Sequence, residues 1–215
     1  MPSYDRSDPT ELAVVDEWPG GVGWLAHPAE DGRRVSHAVE TDDGLWLFDP
    51  LDAPGVDDLL ADRGDVAGVA VLSNWHARDA GRIADRHGVP VTVPAWDPMD
   101  RVVDRVDAPA RRVTDSVAGF ELHRLDPLPG WTEAVAYRST DGTLYAPDVL
   151  SSAAGTPVGS ERAGLSLFAR PFPTREALGD LDPERLLFGH GVGIFFFEAG
   201  DALSTALDGA RRRFP

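Results

Sequence analysis

The sequence predicts an α/β fold in which two β-sheets form a sandwich with helices outside. Three observations carry this. The run Val66 to Leu72 is almost continuously apolar, turns polar at Ser73-Asn74, then takes helical spacing through Ile83 and Ala84 and stops at His87-Gly88-Val89-Pro90 before a second short apolar run. A strand without polar alternation is covered on both faces, which implies helices on both sides of its sheet. Two separate runs of strand candidates, each followed by helices, fit two layers of sheet. At 215 residues the chain is long enough to bury the core of one domain spanning 1–215.

Taken in order, Glu11 to Trp18 and Val22 to His27 read as strands parted by the turn Pro19-Gly20-Gly21. Arg33 to Thr41 and Leu45 to Phe48 flank Asp42-Asp43-Gly44, whose Asp-Gly pair suits the positive φ of a tight hairpin. Val56 to Arg63 reads as a short acidic helix closed by Gly64. Beyond the central strand, loop and helix, Asp97 to Val106 has helical character, and Phe120 to Leu125, Ala134 to Arg138 and Thr143 to Ala146 are strand candidates. Ser151 to Ser160 reads as a surface loop, Thr174 with Glu176 as the start of a short helix, and Arg185 to Phe188 as a strand running into Gly189-His190-Gly191. Glu198 to Arg213 forms a closing helix whose last-turn arginines suit its dipole. The aromatic run Ile194 to Phe197 reads as core.

Composition removes several function classes. There are no cysteines, so disulfides, thiolate catalysis and cysteine zinc sites are excluded, and a metal must use His, Asp or Glu. Acidic residues number 36 against 20 basic ones, all arginine, for a net charge of −16. A surface this negative repels phosphate backbones and anionic lipid, which points to a small-molecule substrate or ligand and away from nucleic acid and membrane. It also suits a salt-adapted cell, where the screening length is short, and a GC-rich genome that favours Asp and Arg codons accounts for it equally. No stretch has the apolar length to cross a bilayer, and Met1 to Thr10 is polar, so a cytoplasmic location is expected.

Five short motifs, in order and spacing, resemble those of the metallo-β-lactamase fold superfamily, an αββα sandwich of two mixed sheets. The Asp42-Asp43-Gly44 hairpin with Leu45-Trp46-Leu47-Phe48-Asp49 resembles its early hairpin, whose Asp supports the metal loop from behind. Ser73-Asn74-Trp75-His76-Ala77-Arg78-Asp79 stands at its H-x-H-x-D-H loop, and Pro129-Gly130-Trp131-Thr132 at its Pro-Gly-His-Thr turn. Tyr145-Ala146-Pro147-Asp148 resembles the strand end whose Asp bridges two metals, and Gly189-His190-Gly191 the terminal Gly-His-Gly.

The resemblance implies a metal-ligand set that is only partly kept. Asn74, Arg78 and Trp131 replace ligands, Asp79 stands at the last His of the loop, and His76, Asp148 and His190 remain. Two readings follow. In one, the motif is degenerate, no metal is bound, the chain is non-catalytic or weakly active and serves in binding or assembly, and Arg78 pairs with Asp148 or Asp79 as a cation in place of a cation. In the other, His76, Asp79, Asp148 and His190 hold one divalent metal, zinc, iron or manganese, that activates water against an ester, thioester, lactone or phosphoester. A weaker third makes Arg78 an anion clamp without metal. The bland alternatives stand beside these: Asp79 as N-cap of the helix from Ala80, Asp49 as acceptor for loop amides, Asn74 as a hydrogen-bonding residue, and Trp131 as filler of a vacated volume.

Overall fold

The computed structural model describes residues 4–171 and 174–210. Strands β1 (Ala13–Trp18), β2 (Gly21–Leu25), β3 (Val35–Thr41) and β4 (Gly44–Phe48) run as an antiparallel meander. Thr41 pairs with Gly44 across the Asp42-Asp43 turn, and Gly44 takes φ +121°, as the Asp-Gly signal foretold. Helices α1 (Val56–Ala61), α2 (Ala80–His87) and α3 (Asp100–Val106) then alternate with β5 (Val66–Ala70), β6 (Val91–Pro94) and β7 (Ala110–Val113), which add in parallel. The result is one seven-stranded sheet in the order β1 to β7.

The second half builds β8 (Ser116–Val117), β9 (Phe120–Leu128), β10 (Trp131–Arg138) and β11 (Thr143–Ala146). A small hairpin of β12 (Leu150–Ser151) and β13 (Gly164–Leu165) and helix α4 (Thr174–Leu178) follow. The chain then forms β14 (Arg185–Phe188), β15 (Ile194–Phe195) and α5 (Phe197–Asp208). The second sheet has the order β15-β14-β11-β10-β9-β8, with β11 and β14 parallel.

Three separate cores define the layers. Val56, Leu60, Ile83 and Val102 pack the first helices on the seven-stranded sheet, and Leu178, Leu203 and Leu207 pack α4 and α5 on the six-stranded one. Phe48, Leu72, Phe120, Tyr145 and Leu187 fill the space between the sheets. The αββα sandwich is therefore present. One inference needs correction: β5 is covered by helices on one face only, and its other face meets the second sheet, which buries an apolar strand equally well.

Other differences have local causes. Strands β7 and β8 were not legible, because Ala110-Arg-Arg-Val exposes three of its four residues and pairs as a polar edge. Of the run read as core, Ile194 is buried, but Phe196 and Phe197 are 75% and 84% exposed. The last-turn arginines, Arg211 to Arg213, lie outside the described residues. At Gly81, α2 crosses α3 so closely that an added Cβ would lie 1.4 Å from the Val106 carbonyl oxygen. Among the described residues no helix is long and apolar enough to cross a membrane.

Candidate metal centre

The centre lies where strands that run the same way end. β4 and β5 are parallel, as are β11 and β14, and the segments leaving their carboxyl ends carry Asp49, Ser73 to Asp79, Asp148 and His190. Backbone bonds join the two sheets on either side of this point. Ala134 N–H donates to Leu72 O (2.7 Å) and Asn74 N–H to Thr132 O (3.0 Å), while Val35 N–H donates to Gly189 O (3.0 Å) and Gly191 N–H to Arg33 O (2.9 Å).

His76, Asp148 and His190 come together there, with ligand atoms all within 4.8 Å of one another. His76 Nε2 lies 3.0 Å from Asp148 Oδ2, and His190 Nε2 lies 3.2 Å from Asp148 Oδ1. Each ring is held from behind. His190 Nδ1 sits 2.8 Å from the Gly32 carbonyl, which can only accept, so Nδ1 carries a proton. His76 Nδ1 faces Asp49 Oδ2 at 3.4 Å, an ion-pair contact without a formed hydrogen bond. Ser73 Oγ donates to Asp148 Oδ2 at 3.0 Å.

Asp49 is the hub behind the ring, and its backbone is in the left-handed region at φ +46°. It is fully buried, accepting from Leu72 N–H at 3.1 Å and from Tyr145 Oη at 2.6 Å. The expected role as acceptor for a loop amide therefore stands, with the tyrosine added. Burial and then the Asp49 charge push the Tyr145 phenol well above its ordinary pKa.

One participant was missed. Glu133 is fully buried on β10, accepting from Val149 N–H (2.9 Å) and Asp148 N–H (3.4 Å) at Oε1 and from Trp131 Nε1 (3.1 Å) at Oε2. Burial, and then the Asp148 charge, push its pKa up to about 8. The available signal was a lone carboxyl in the apolar run Trp131 to Tyr137. Asp148 moves the other way: burial alone would raise it, but the His76 charge and hydrogen bonds from both imidazoles hold it well below the usual carboxylate range. Burial and the Arg78 charge press the His76 pKa down, and Asp148 and Asp49 outweigh them and raise it.

The remaining residues of the motif stand apart. Asp79 occupies the N-cap of α2 without capping it, because its carboxylate accepts from Asp52 N–H at 2.9 Å and faces Arg82; it is not in the cluster. Arg78 pairs with neither Asp148 nor Asp79. Its guanidinium donates to Val35 O (3.0 Å), Asp49 O (2.8 Å) and Gly189 O (3.0 Å), stapling both sheets through their carbonyls. Asn74 is a clamp: Nδ2 donates to Gly130 O (2.8 Å) and Oδ1 accepts from Thr132 N–H (3.1 Å). Trp131 is buried and stacks on Trp75, ring centroids 4.7 Å apart at 16°.

Two imidazoles and one carboxylate suit a single divalent cation. Bonds of about 2.0–2.1 Å in a tetrahedral site put ligand atoms about 3.3 Å apart, close to the 3.0 and 3.2 Å seen here. The acceptors behind each ring are the kind that orient metal-binding histidines. The sandwich thus carries a possible metal-binding triad at its edge.

No protein-family model matches the chain, and no curated protein matches it. Solved structures do. A metallo-β-lactamase from Pontibacter korlensis is similar at a TM-score of 0.60 and 17% identity, covering 94% of this chain and 99% of that one. FIM-1 from Pseudomonas aeruginosa, a metallo-β-lactamase in its mono-zinc form, gives 0.59 at 13% identity, covering 98% and 100%. A flavodiiron protein from Giardia intestinalis gives 0.59 at 12% identity, covering 96% of this chain and 61% of that one. The chain has the metallo-β-lactamase fold.

Proposed function

We propose that this chain is a single-metal hydrolase that holds zinc, iron or manganese through His76, Asp148 and His190. The observation that carries the reading is the aim of the two imidazoles: both turn Nε2 toward one carboxylate while Gly32 O and Asp49 occupy the far side of each ring. A divalent cation there supplies Lewis acidity and acidifies water for attack on an ester, thioester, lactone or phosphoester. The chain's own residues set the rest. Ser73 and the imidazoles fix both oxygens of Asp148. Glu133 accepts from the N–H groups of Asp148 and Val149 and so fixes the segment that carries Asp148. Asp79, facing Arg82, has no part in the ligand set of this reading.

One observation favours the degenerate, metal-free reading. Asp148 already has three partners in Ser73, His76 and His190, an arrangement that can stand as an ion-paired network. The anion-clamp reading is weakened, because Arg78 spends Nη1 and Nη2 on carbonyls and has only a buried Nε left over. Metal analysis of protein purified without chelator separates the two: about one ion per chain, lost in His190→Ala, supports the hydrolase, and a content near zero supports the metal-free network. A screen of esters and phosphodiesters follows. The −16 charge supports a small-molecule substrate over nucleic acid or anionic lipid, and work in the cytoplasm of a salt-adapted cell.

A further inference from the structure

We infer that helix α5 and the loop between α4 and β14 form a docking groove for a basic-apolar segment of a partner protein, an aromatic or aliphatic side chain flanked by arginine or lysine. Phe196 and Phe197 are the two most exposed large apolar side chains among the described residues. With Leu181, Asp182, Glu184 and Asp201 they line one cavity of about 580 Å³. The groove is independent of the metal reading. Phe195 pairs with Arg185 at the start of β14, whereas His190 lies past the far end of that strand, on the order of 15 Å away at about 3.3 Å per residue. Its loop wall is pinned: Tyr137 Oη donates to Asp182 O at 3.1 Å, and Glu184 N–H donates to Gly142 O at 2.9 Å.

Phe196 breaks two local rules at once. Its φ of +62° with ψ of −152° lies where glycine is at ease and a residue carrying a Cβ is strained. It also stands at the N-cap of α5 without a side-chain bond to the helix, a position that Ser, Asp or Asn would satisfy. Burial of its ring offsets neither cost, because the ring faces solvent. Local conflicts of this kind collect where a side chain is kept for contact, and aromatic anchors fill the centres of protein interfaces. Phe197, Asp201 and Ser204 follow at helical spacing along the same wall, so α5 presents a continuous face to an occupant.

The rim selects the partner. Asp182, Glu184 and Asp201 are exposed, and among the described residues no arginine or histidine lies within ion-pair distance of their carboxylates, whereas Glu198 beside them is paired with Arg162. Acidic residues are frequent on a chain of net charge −16; what sets these three apart is that they share a cavity with two solvent-facing aromatics. A second copy would set like carboxylates against each other, and anionic lipid would be repelled. A cationic segment meets opposite charge at the rim, and its guanidinium or ammonium groups can also lie over the exposed rings.

The test is fluorescence anisotropy of labelled peptides titrated with the full chain: Arg-Leu-Phe-Arg-Leu-Arg, its charge-reversed form Glu-Leu-Phe-Glu-Leu-Glu, and its apolar-deleted form Arg-Gly-Ser-Arg-Gly-Arg. The first should bind saturably and about tenfold or more tighter than either control, with affinity falling between about 0.1 M and about 1 M KCl as the rim charges are screened. Phe197→Ala should weaken it about tenfold or more, as truncation of an interface anchor does, with the urea midpoint of the parent. Phe196→Gly should weaken it comparably while its urea midpoint stays at or above the parent's, because glycine relaxes the strained backbone. A lower midpoint in Phe196→Gly would mark this ring as part of the fold and overturn its role as anchor. The absence of saturable binding, equal binding of the three peptides, or binding indifferent to Phe197→Ala would overturn the groove. So would a homodimer in light scattering that Phe197→Asp dissociates, or binding to phosphatidylcholine vesicles that Phe197→Ala abolishes.

Discussion

Replacing Arg78 with Met removes a cation that stands where the related motif has a carboxylate, and the structure sets the size of the effect. Three carbonyl oxygens, of Val35, Asp49 and Gly189, lose donors at 3.0, 2.8 and 3.0 Å. Hydrogen bonds to a charged group contribute about 1.5–3 kcal/mol each when well buried; this side chain is half-buried, so about 1 kcal/mol each is the better figure. The sum, about 3 kcal/mol, is a large part of the 5–15 kcal/mol typical of a folded domain. Urea melts at fixed salt should show a midpoint lower by about 1–2 M with the slope unchanged. Arg78→Lys should recover less than half, since a compact ammonium cannot span three carbonyls. Arg78→Asp, although it restores the related motif, should be worse than Arg78→Met, because it sets a carboxylate against three carbonyl oxygens. The guanidinium also depresses His76, so in Arg78→Met the His76 imidazole should titrate at higher pH by NMR. A Met variant within 0.5 kcal/mol of the parent, or a lower His76 pKa, would refute the staple.

Further expectations concern protons, packing and salt. In metal-free protein Glu133 has its pKa raised from an ordinary 4.5 to about 8, so the unfolded chain releases this proton first and stability falls as pH rises through that window. Glu133→Gln should flatten that part of the pH–stability curve by a few kcal/mol relative to the parent; parallel curves would reject the assignment. Gly81→Ala should destabilise by more than about 3 kcal/mol despite alanine's better helix propensity, because the neighbour at 1.4 Å is backbone that cannot turn aside; a melt within 1 kcal/mol of the parent would count against this α2–α3 approach. With net charge −16, the urea midpoint should rise between 0.1 M and 1 M KCl as the screening length shrinks from about 10 to about 3 Å, and equal midpoints would argue against salt adaptation.

Much of the sandwich was legible because its inner strands announce themselves through apolar runs and its turns through Asp-Gly and Pro-Gly chemistry. The edge strands β7 and β8 were not, since an exposed edge has no periodic apolar signal. At the centre, His76, Asp148 and His190 could be placed by motif order. The partners of Arg78 could not: it bonds main-chain oxygens, whose positions depend on how the two sheets meet and leave no mark on residue type. Glu133 was hidden for a related reason. A carboxyl in a strand reads as a solvent-facing residue until the fold shows that the amide groups of Asp148 and Val149 point at it.

The halves of the triad come from opposite layers: His76 and its support Asp49 from the seven-stranded side, Asp148 and His190 from the six-stranded side. Any ion that bridged them would act as a rivet through the sandwich, and sliding of one layer past the other by a single side-chain width would pull the rivet's seats apart. Occupancy and mechanical alignment are thereby one variable, and an ion at a hundred times its dissociation constant would resist such shear with about 2.7 kcal/mol.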